Sequence, residues 1–178
     1  MILLGSQAVF SQKYLNTEMP EIEMEWKDHS FFSEKTLMEN ISEIAEFSVF
    51  SKIIRDNNLE ELLEKTSMFT IFVFEDTAFS SLSEKEQKEL LQNRNLMRKT
   101  IPHLMVPGRI DLHGLKKEAE KHGGSFSLLT LNKENLKVEV QNEEIYLTDS
   151  EGRKAPIHSG DFYHKKGIFH IIDTLVFP

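Results

Sequence analysis

Apolar residues along this chain follow a helical period in the first half and an alternating one in the second. Leu37, Ile41, Ile44 and Ala45 recur at i, i+4, i+7 and i+8, which predicts one continuous amphipathic helix. Ser48 stands where it caps a second helix bearing Val49, Phe50, Ile53 and Ile54, and Leu59, Leu62 and Leu63 mark a third. Ser83 and Glu86 have the spacing of a capping box ahead of Leu90 and Leu91. Leu96, Met97, Ile101 and Leu104 predict another helix, which Pro102, lacking a backbone N–H, ends or kinks near His103. Leu112, Leu115 and Ala119 predict a short helix stopped by Gly123 and Gly124. Alternation then takes over: a strand over Phe126–Leu131, a second through Leu136, Val138 and Val140, and a third through Ile145 and Leu147. Asn142 and Glu143 form the tight connection between the last two.

Two stretches are denser. In Phe69–Phe79, FTIFVFEDTAF, Thr70–Phe74 reads as a strand broken by Glu75 and Asp76, with Asp76 capping a short turn that carries Ala78 and Phe79. Gly167–Pro178, GIFHIIDTLVFP, reads as one strand apolar on both faces, which places it in the middle of a covered sheet. His170 and Asp173 interrupt it. If buried, each needs a hydrogen-bond partner, since an unpaired polar group in a core costs about 1–3 kcal/mol. For His170 that partner is expected to be Thr70 or Asp76, across the two strands. Asp149–Lys166, with Gly152, Pro156 and Gly160, reads as an exposed loop, the kind of segment where binding groups concentrate. Pro107 and Gly108 fit the centre of a type II turn.

A length of 178 residues suits one domain with a real core. Twenty-one Lys and Arg against 29 Asp and Glu leave a formal charge of −8, which repels phosphate backbones and anionic lipid. Lys116, Lys117 and Lys121 are interleaved with Glu118 and Glu120, a solvated helix face and not a basic stripe. Nucleic acid is therefore not an expected partner. There is no cysteine, which removes disulfides, thiolate metal sites and thiol nucleophiles.

The start, Met1–Gln12, has the composition of the trailing half of a secretory signal, although no basic residue precedes its apolar cluster; the alternative is an ordinary N-terminus. Residues 13–35 form an acidic extension, a linker or accessory strand in which Met19, Ile22, Met24 and Trp26 are placed to lie across a core edge. No apolar run reaches the roughly 18 residues needed to span a bilayer. Seven histidines raise the question of a metal. His158, His164 and His170 lie six apart, about 20 Å in extended chain, whereas ligand nitrogens sit about 2 Å from an ion. On a helix His113 and His122 face opposite ways. HExxH, Walker, GxGxxG and nucleophile-elbow spacings are missing from the sequence, so no cofactor, metal or catalytic residue is expected.

TIFVFEDTAF, with Thr70, Asp76 and Phe79, resembles the first signature segment of the fasciclin domain. GIFHIIDTLVFP resembles the second, with Gly167, His170, Asp173 and Pro178 in place. His103 and Pro107-Gly108-Arg109 resemble the family's central histidine and the Pro-Gly-basic turn that follows it. The resemblance covers Thr36–Pro178. It implies a single α+β domain at 36–178, with N-terminal helices packed on a twisted β-rich wedge or sandwich. It also implies a role in cell adhesion or matrix contact, not catalysis.

In that family a tyrosine often precedes the central histidine, and the pair is linked with integrin adhesion; here the position is Pro102. An Asp-Ile pair precedes the second signature in adhesion-linked members, and the matching residues here are Asp161 and Phe162, followed by Tyr163 and His164. The expected function is non-catalytic recognition of a protein or glycan at a cell surface, in a secreted, periplasmic or surface-attached protein. Asp161, Phe162, Tyr163, His164 and His103 are the candidate contacts. Phe162 and Tyr163 serve equally well as packing residues that hold the segment on the sheet. One alternative is a small-ligand or carbohydrate module using a Trp26, Phe162 and Tyr163 platform. The other is a hydrolase or metal-dependent enzyme, which needs titratable groups converging in one pocket.

Overall fold

A computed structural model describes residues 21–178. The expectations for Met1–Gln12 and Met19 lie outside the described residues. The chain opens with a hairpin, β1 (Glu23–Trp26) and β2 (His29–Phe32), followed by α1 (Leu37–Ile41), α2 (Ser48–Asp56) and α3 (Glu60–Lys65). Next come β3 (Phe69–Phe74), α4 (Glu84–Gln92), α5 (Arg94–His103), β4 (Met105–Pro107) and α6 (Leu112–Lys121). The rest is strand: β5 (Ser125–Leu129), β6 (Asn135–Gln141), β7 (Glu144–Thr148), β8 (Lys154–His164) and β9 (Gly167–Ile172).

Seven strands form one run in the order β4-β3-β9-β8-β7-β6-β5, and β3–β9 is its parallel pair. The Leu131 N–H donates to the Met105 carbonyl at 2.9 Å, so the far end of the run curls back toward β4 and the sheet becomes a wedge. Every side chain of β3 and of β9 is buried, as expected for central strands covered on both faces. Helices cover one side, where Phe50 of α2 meets Phe74 edge-on at 4.9 Å. The hairpin belongs to the same core: Phe31 is fully buried and packs edge-on against Phe162 and Phe169, each at 4.9 Å. Trp26 is buried against Phe47 at 5.1 Å.

Three expectations change. The first apolar stripe is not one helix, because α1 ends at Ile41 and a separate 3-10 turn takes up Ala45–Phe47. A capping box at Thr36 and Glu39 fixes the start of α1. The final stretch is strand only to Ile172, whose carbonyl takes the Glu75 N–H at 2.9 Å where β3 has ended. Asp173 is exposed and so needs no buried partner, while Leu175 and Val176 return to the core. The expected loop at 149–166 is mostly the eleven-residue strand β8, in which Pro156 and Gly160 are accommodated within the sheet. Its pairing with β9 slips between Ser159 and Phe162, a bulge at Gly160 and Asp161 that hides the alternation.

The glycine-free turns at 142–143 and at Asp76 are fixed differently, the first by its own backbone conformation and the second by contacts across the fold. Asn142 and Glu143 both have positive φ, 50° and 69°, as a two-residue hairpin of the primed type requires. Asp76 caps across the fold: its carboxylate accepts the Val49 N–H at 2.9 Å and the Ser48 hydroxyl at 2.5 Å, which closes the N-terminus of α2. Ser48, expected as that cap, is the first helical residue instead. Asp76→Ala is expected to cost about 1–2 kcal/mol and lower the melting temperature by about 2–8 °C. Thermal unfolding followed by circular dichroism checks this, and an unchanged midpoint would show that the cap is not needed.

Candidate functional site

The signature residues meet at one end of the central strands. Thr70 in β3 donates its hydroxyl to the Gly108 carbonyl at 2.9 Å and accepts the Ile110 N–H at 2.9 Å, pinning the turn that carries Arg109. Gly108 holds φ +90° there, as the predicted turn demands. His170, fully buried in β9, continues the network. Its Nδ1 accepts the Asp161 N–H at 3.2 Å, which leaves the proton on Nε2 to be donated to the Ile110 carbonyl at 2.9 Å. The partners expected for His170, Thr70 and Asp76, are therefore replaced by the Asp161 backbone and Ile110. Burial pushes the His170 pKa down, with the Ile110 carbonyl acting the other way. The ring stacks on Phe72 at 5.5 Å, and a Cβ on Gly160 would lie 2.2 Å from its Nδ1, so the bulge has room only for glycine beside it.

Asp161 is committed to the same network. With φ +63° it turns its carboxylate to the Leu112 N–H at 2.8 Å, supplementing Asp111 at the start of α6. Thr70, the 107–110 turn, His170, the β8 bulge and α6 thus form one connected latch.

The sequence offers five candidate contacts, of which His103 reads more readily as a structural histidine near an apolar face, and the structure separates them. Phe162 is 4% exposed and packs on Phe31 and Phe169. His164 is 2% exposed against Phe69, 4.8 Å away. His103 is also 2% exposed; Glu134 lies 3.6 Å from its Nδ1, and neither ring nitrogen has a hydrogen-bond partner among the described residues. Helix α5, which runs through Pro102 to His103, turns this imidazole inward, where burial lowers its pKa against the opposing effects of Asn132, Glu134 and Asp149. Tyr163 is the candidate that reaches solvent as a large side chain, half-buried, with the Arg109 guanidinium 5.5 Å over its ring.

Around that pair the end of the sheet exposes Pro107, Lys165 and Met68, the last 48% accessible. The register brings them together, since Phe69 pairs with both Pro107 and Gly167 and His164 pairs with Gly167. Nothing in the spacing along the chain marks Arg109 or Met68 as a contact; the register of three non-sequential strands gathers them. The aromatic platform of Trp26, Phe162 and Tyr163 is not assembled, because two of the three rings are in the core.

The histidines also part company. His158 Nε2 lies 3.0 Å from the buried Glu75 carboxylate, which holds Lys27 at 2.5 Å on its other side, while His164 and His170 lie in the separate surroundings described above. Among the described residues no group of three or more His, Cys, Asp or Glu is placed to hold a metal. Within the same residues no helix is long and apolar enough to cross a membrane.

The model of the fasciclin domain matches residues 45–178. The chain belongs to the fasciclin-domain family. Among curated proteins it is 23% identical to human periostin over 146 residues, covering 82% of this chain and 16% of periostin. It is 25% identical over 148 residues to Protein sll1483 of Synechocystis, covering 82% of this chain and 75% of that protein. This chain therefore spans about one sixth of periostin and three quarters of the cyanobacterial protein. Among solved structures, the FAS1 domain pair of the insect cell adhesion molecule fasciclin I superposes with a TM-score of 0.63 at 13% identity, over 87% of this chain and 66% of that one. At that identity the likeness concerns the fold, and it agrees with the fasciclin architecture of helices against a β wedge.

Proposed function

We propose that this chain is a non-catalytic recognition module that works outside the cytoplasm and contacts a protein partner at a cell surface or in a matrix. The carrying observation is the Arg109–Tyr163 pair, held on a rigid latch and set beside exposed Met68, Pro107 and Lys165. Arginine and tyrosine next to apolar surface is the composition of an interface anchor. The patch carries positive charge on a chain of net charge −8, so an acidic protein surface is its natural complement. Membership of the fasciclin family, with a member in an insect cell adhesion molecule, supports the same role. Residues 1–12 fit this reading as the remnant of an export signal ahead of the 13–35 extension and the fasciclin domain at 36–178.

The test is adhesion of cells from the source organism to surfaces coated with the chain or with an Arg109→Glu, Tyr163→Ala double variant. Wild type is expected to retain cells, and the variant, equally folded, to retain several-fold fewer, as loss of a central anchor commonly costs tenfold or more in affinity. Equal retention by the two surfaces, or none by wild type, contradicts the reading.

A further inference from the structure

A cavity of about 540 Å³ opens between α1, α3, the start of β3 and the end of β8 with the turn that follows it, well inside the size range of small-molecule sites. Leu37, Met38, Leu63 and Phe69 give it apolar walls, and His164 and Lys166 supply the polar groups on its sheet side. The donor inventory of those two residues defines what fits. The Lys166 N–H donates to His164 Nδ1 at 3.3 Å, so the imidazole proton sits on Nε2, and that atom has no partner among the described residues. Burial, helped by Arg109 and Lys166 and opposed by the Ile168 backbone, lowers the His164 pKa to about 4, so the ring is neutral at physiological pH and offers one N–H. The Lys166 ammonium donates to the Glu64 carbonyl and, at 3.1 Å, to the Thr66 carbonyl, which leaves one of its three N–H groups unassigned.

We propose that this cavity binds a small apolar carboxylic acid, with its hydrocarbon body on Leu37, Met38, Leu63 and Phe69 and its carboxylate accepting from His164 Nε2–H and Lys166 Nζ–H. A buried donor left unmet is costly, and a carboxylate is acceptor-only, so it satisfies both donors at once. Arg109 and Lys166 set a positive field at the imidazole, which favours an anion over a cation. Glu60 and Glu64 also border the cavity, but both are exposed, so their repulsion is screened by solvent and salt. With His164 only 2% exposed, the head group reaches Nε2 by parting the Phe69 and His164 rings at the cavity floor. Arg109 and Tyr163 do not line this cavity, although the Arg109 charge contributes to the field at His164.

Sodium decanoate and decyltrimethylammonium bromide, both below their micellar concentrations, are the probes for calorimetric titration of the whole chain. Decanoate is expected to bind with Kd below about 1 mM and the cationic amphiphile at least tenfold more weakly. His164→Phe keeps an aromatic ring against Phe69 while removing the donor, and is expected to weaken decanoate about tenfold or more. Should that variant fail to fold, nitrogen NMR of the wild-type imidazole decides, since decanoate is expected to shift His164 Nε2 more than any other ring nitrogen. No saturable decanoate binding, equal affinity for the two head groups, undiminished affinity in folded His164→Phe, or an unmoved Nε2 resonance would overturn the proposal.

Discussion

Gly167→Ala is expected to destabilise the domain by about 4 kcal/mol or more and to lower its melting temperature by about 8–16 °C. The cause is contact between backbones. A Cβ at position 167 would lie 1.8 Å from the Phe69 carbonyl oxygen and 2.9 Å from its carbon. Neither is the end of a flexible side chain, so relief requires the two strands to part. Phe69 and Gly167 are register partners at the start of the parallel β3–β9 pair, and the Phe69 N–H bonds the adjacent Lys166 carbonyl at 3.0 Å. Parting them there disturbs the buried centre of the sheet. Gly152→Ala is the control: φ is +82° with nothing within 4 Å of the added carbon, so only the left-handed backbone cost of about 1–2 kcal/mol applies. Urea unfolding of both variants separates the two causes, and equal losses would mean that the approach at Gly167 is not what makes glycine necessary.

The same close approach explains why so much of the fold is legible in the sequence. Gly167, Thr70, Gly108 and His170 mark points where backbones or turns meet, and such requirements leave fixed residue types at fixed positions. The helical stripes at Phe50, Ile53 and Ile54 and at Leu112, Leu115 and Ala119 are legible for a different reason, since each helix buries one face. What fails to show is what depends on residues distant in sequence. Asp76 looks like a local cap but closes α2 from across the fold. In β8 a bulge breaks the alternation, so Phe162 and His164, which sit on one side of a strand, look like residues of a loop. Phe31 gives no sign in the sequence that it fills the space against Phe162 and Phe169. Because Phe162 goes inward, the candidate surface passes to Tyr163 and to Arg109, more than fifty residues earlier in the chain.

Latch and patch are consequently one structural unit. His170 ties the Ile110 carbonyl to the β8 bulge, and Thr70 ties the turn before it, so the Arg109 and Tyr163 backbones are held relative to each other by buried hydrogen bonds. A contact surface fixed in this way loses little conformational entropy on binding. It also makes binding depend on the protonation state of groups the partner never touches.

Stability is expected to fall steadily as the pH drops below about 6.5. His103, His164 and His170 are all buried, and burial lowers the pKa of each, to about 4 for His164. In the unfolded chain each titrates near 6.5. Above that pH both states hold the neutral ring and the three contribute no pH dependence. Below it the unfolded chain takes up protons that the folded state excludes, so the free energy of unfolding decreases with falling pH until the folded pKa is passed. The slope approaches about 1.4 kcal/mol per pH unit for each histidine inside its window. Between pH 6.5 and 4.5 His164 alone accounts for about 2–3 kcal/mol, a sizeable share of the roughly 5–15 kcal/mol that holds a domain together, and His103 and His170 act in the same direction. Urea midpoints measured from pH 8 to 4.5 are expected to be level above 7 and to decline below 6.5, and a midpoint that holds or rises on acidification would contradict the linkage. His164→Phe removes one of the three titrating groups, so its stability is expected to decline less steeply by about one proton's worth of slope. His170 carries a second consequence, because protonating it replaces the acceptor at Nδ1 with a donor facing the Asp161 N–H. Acid therefore works against the latch beneath Arg109 and Tyr163 as well as against the fold, and adhesion is expected to weaken over the same pH range in which the urea midpoint declines.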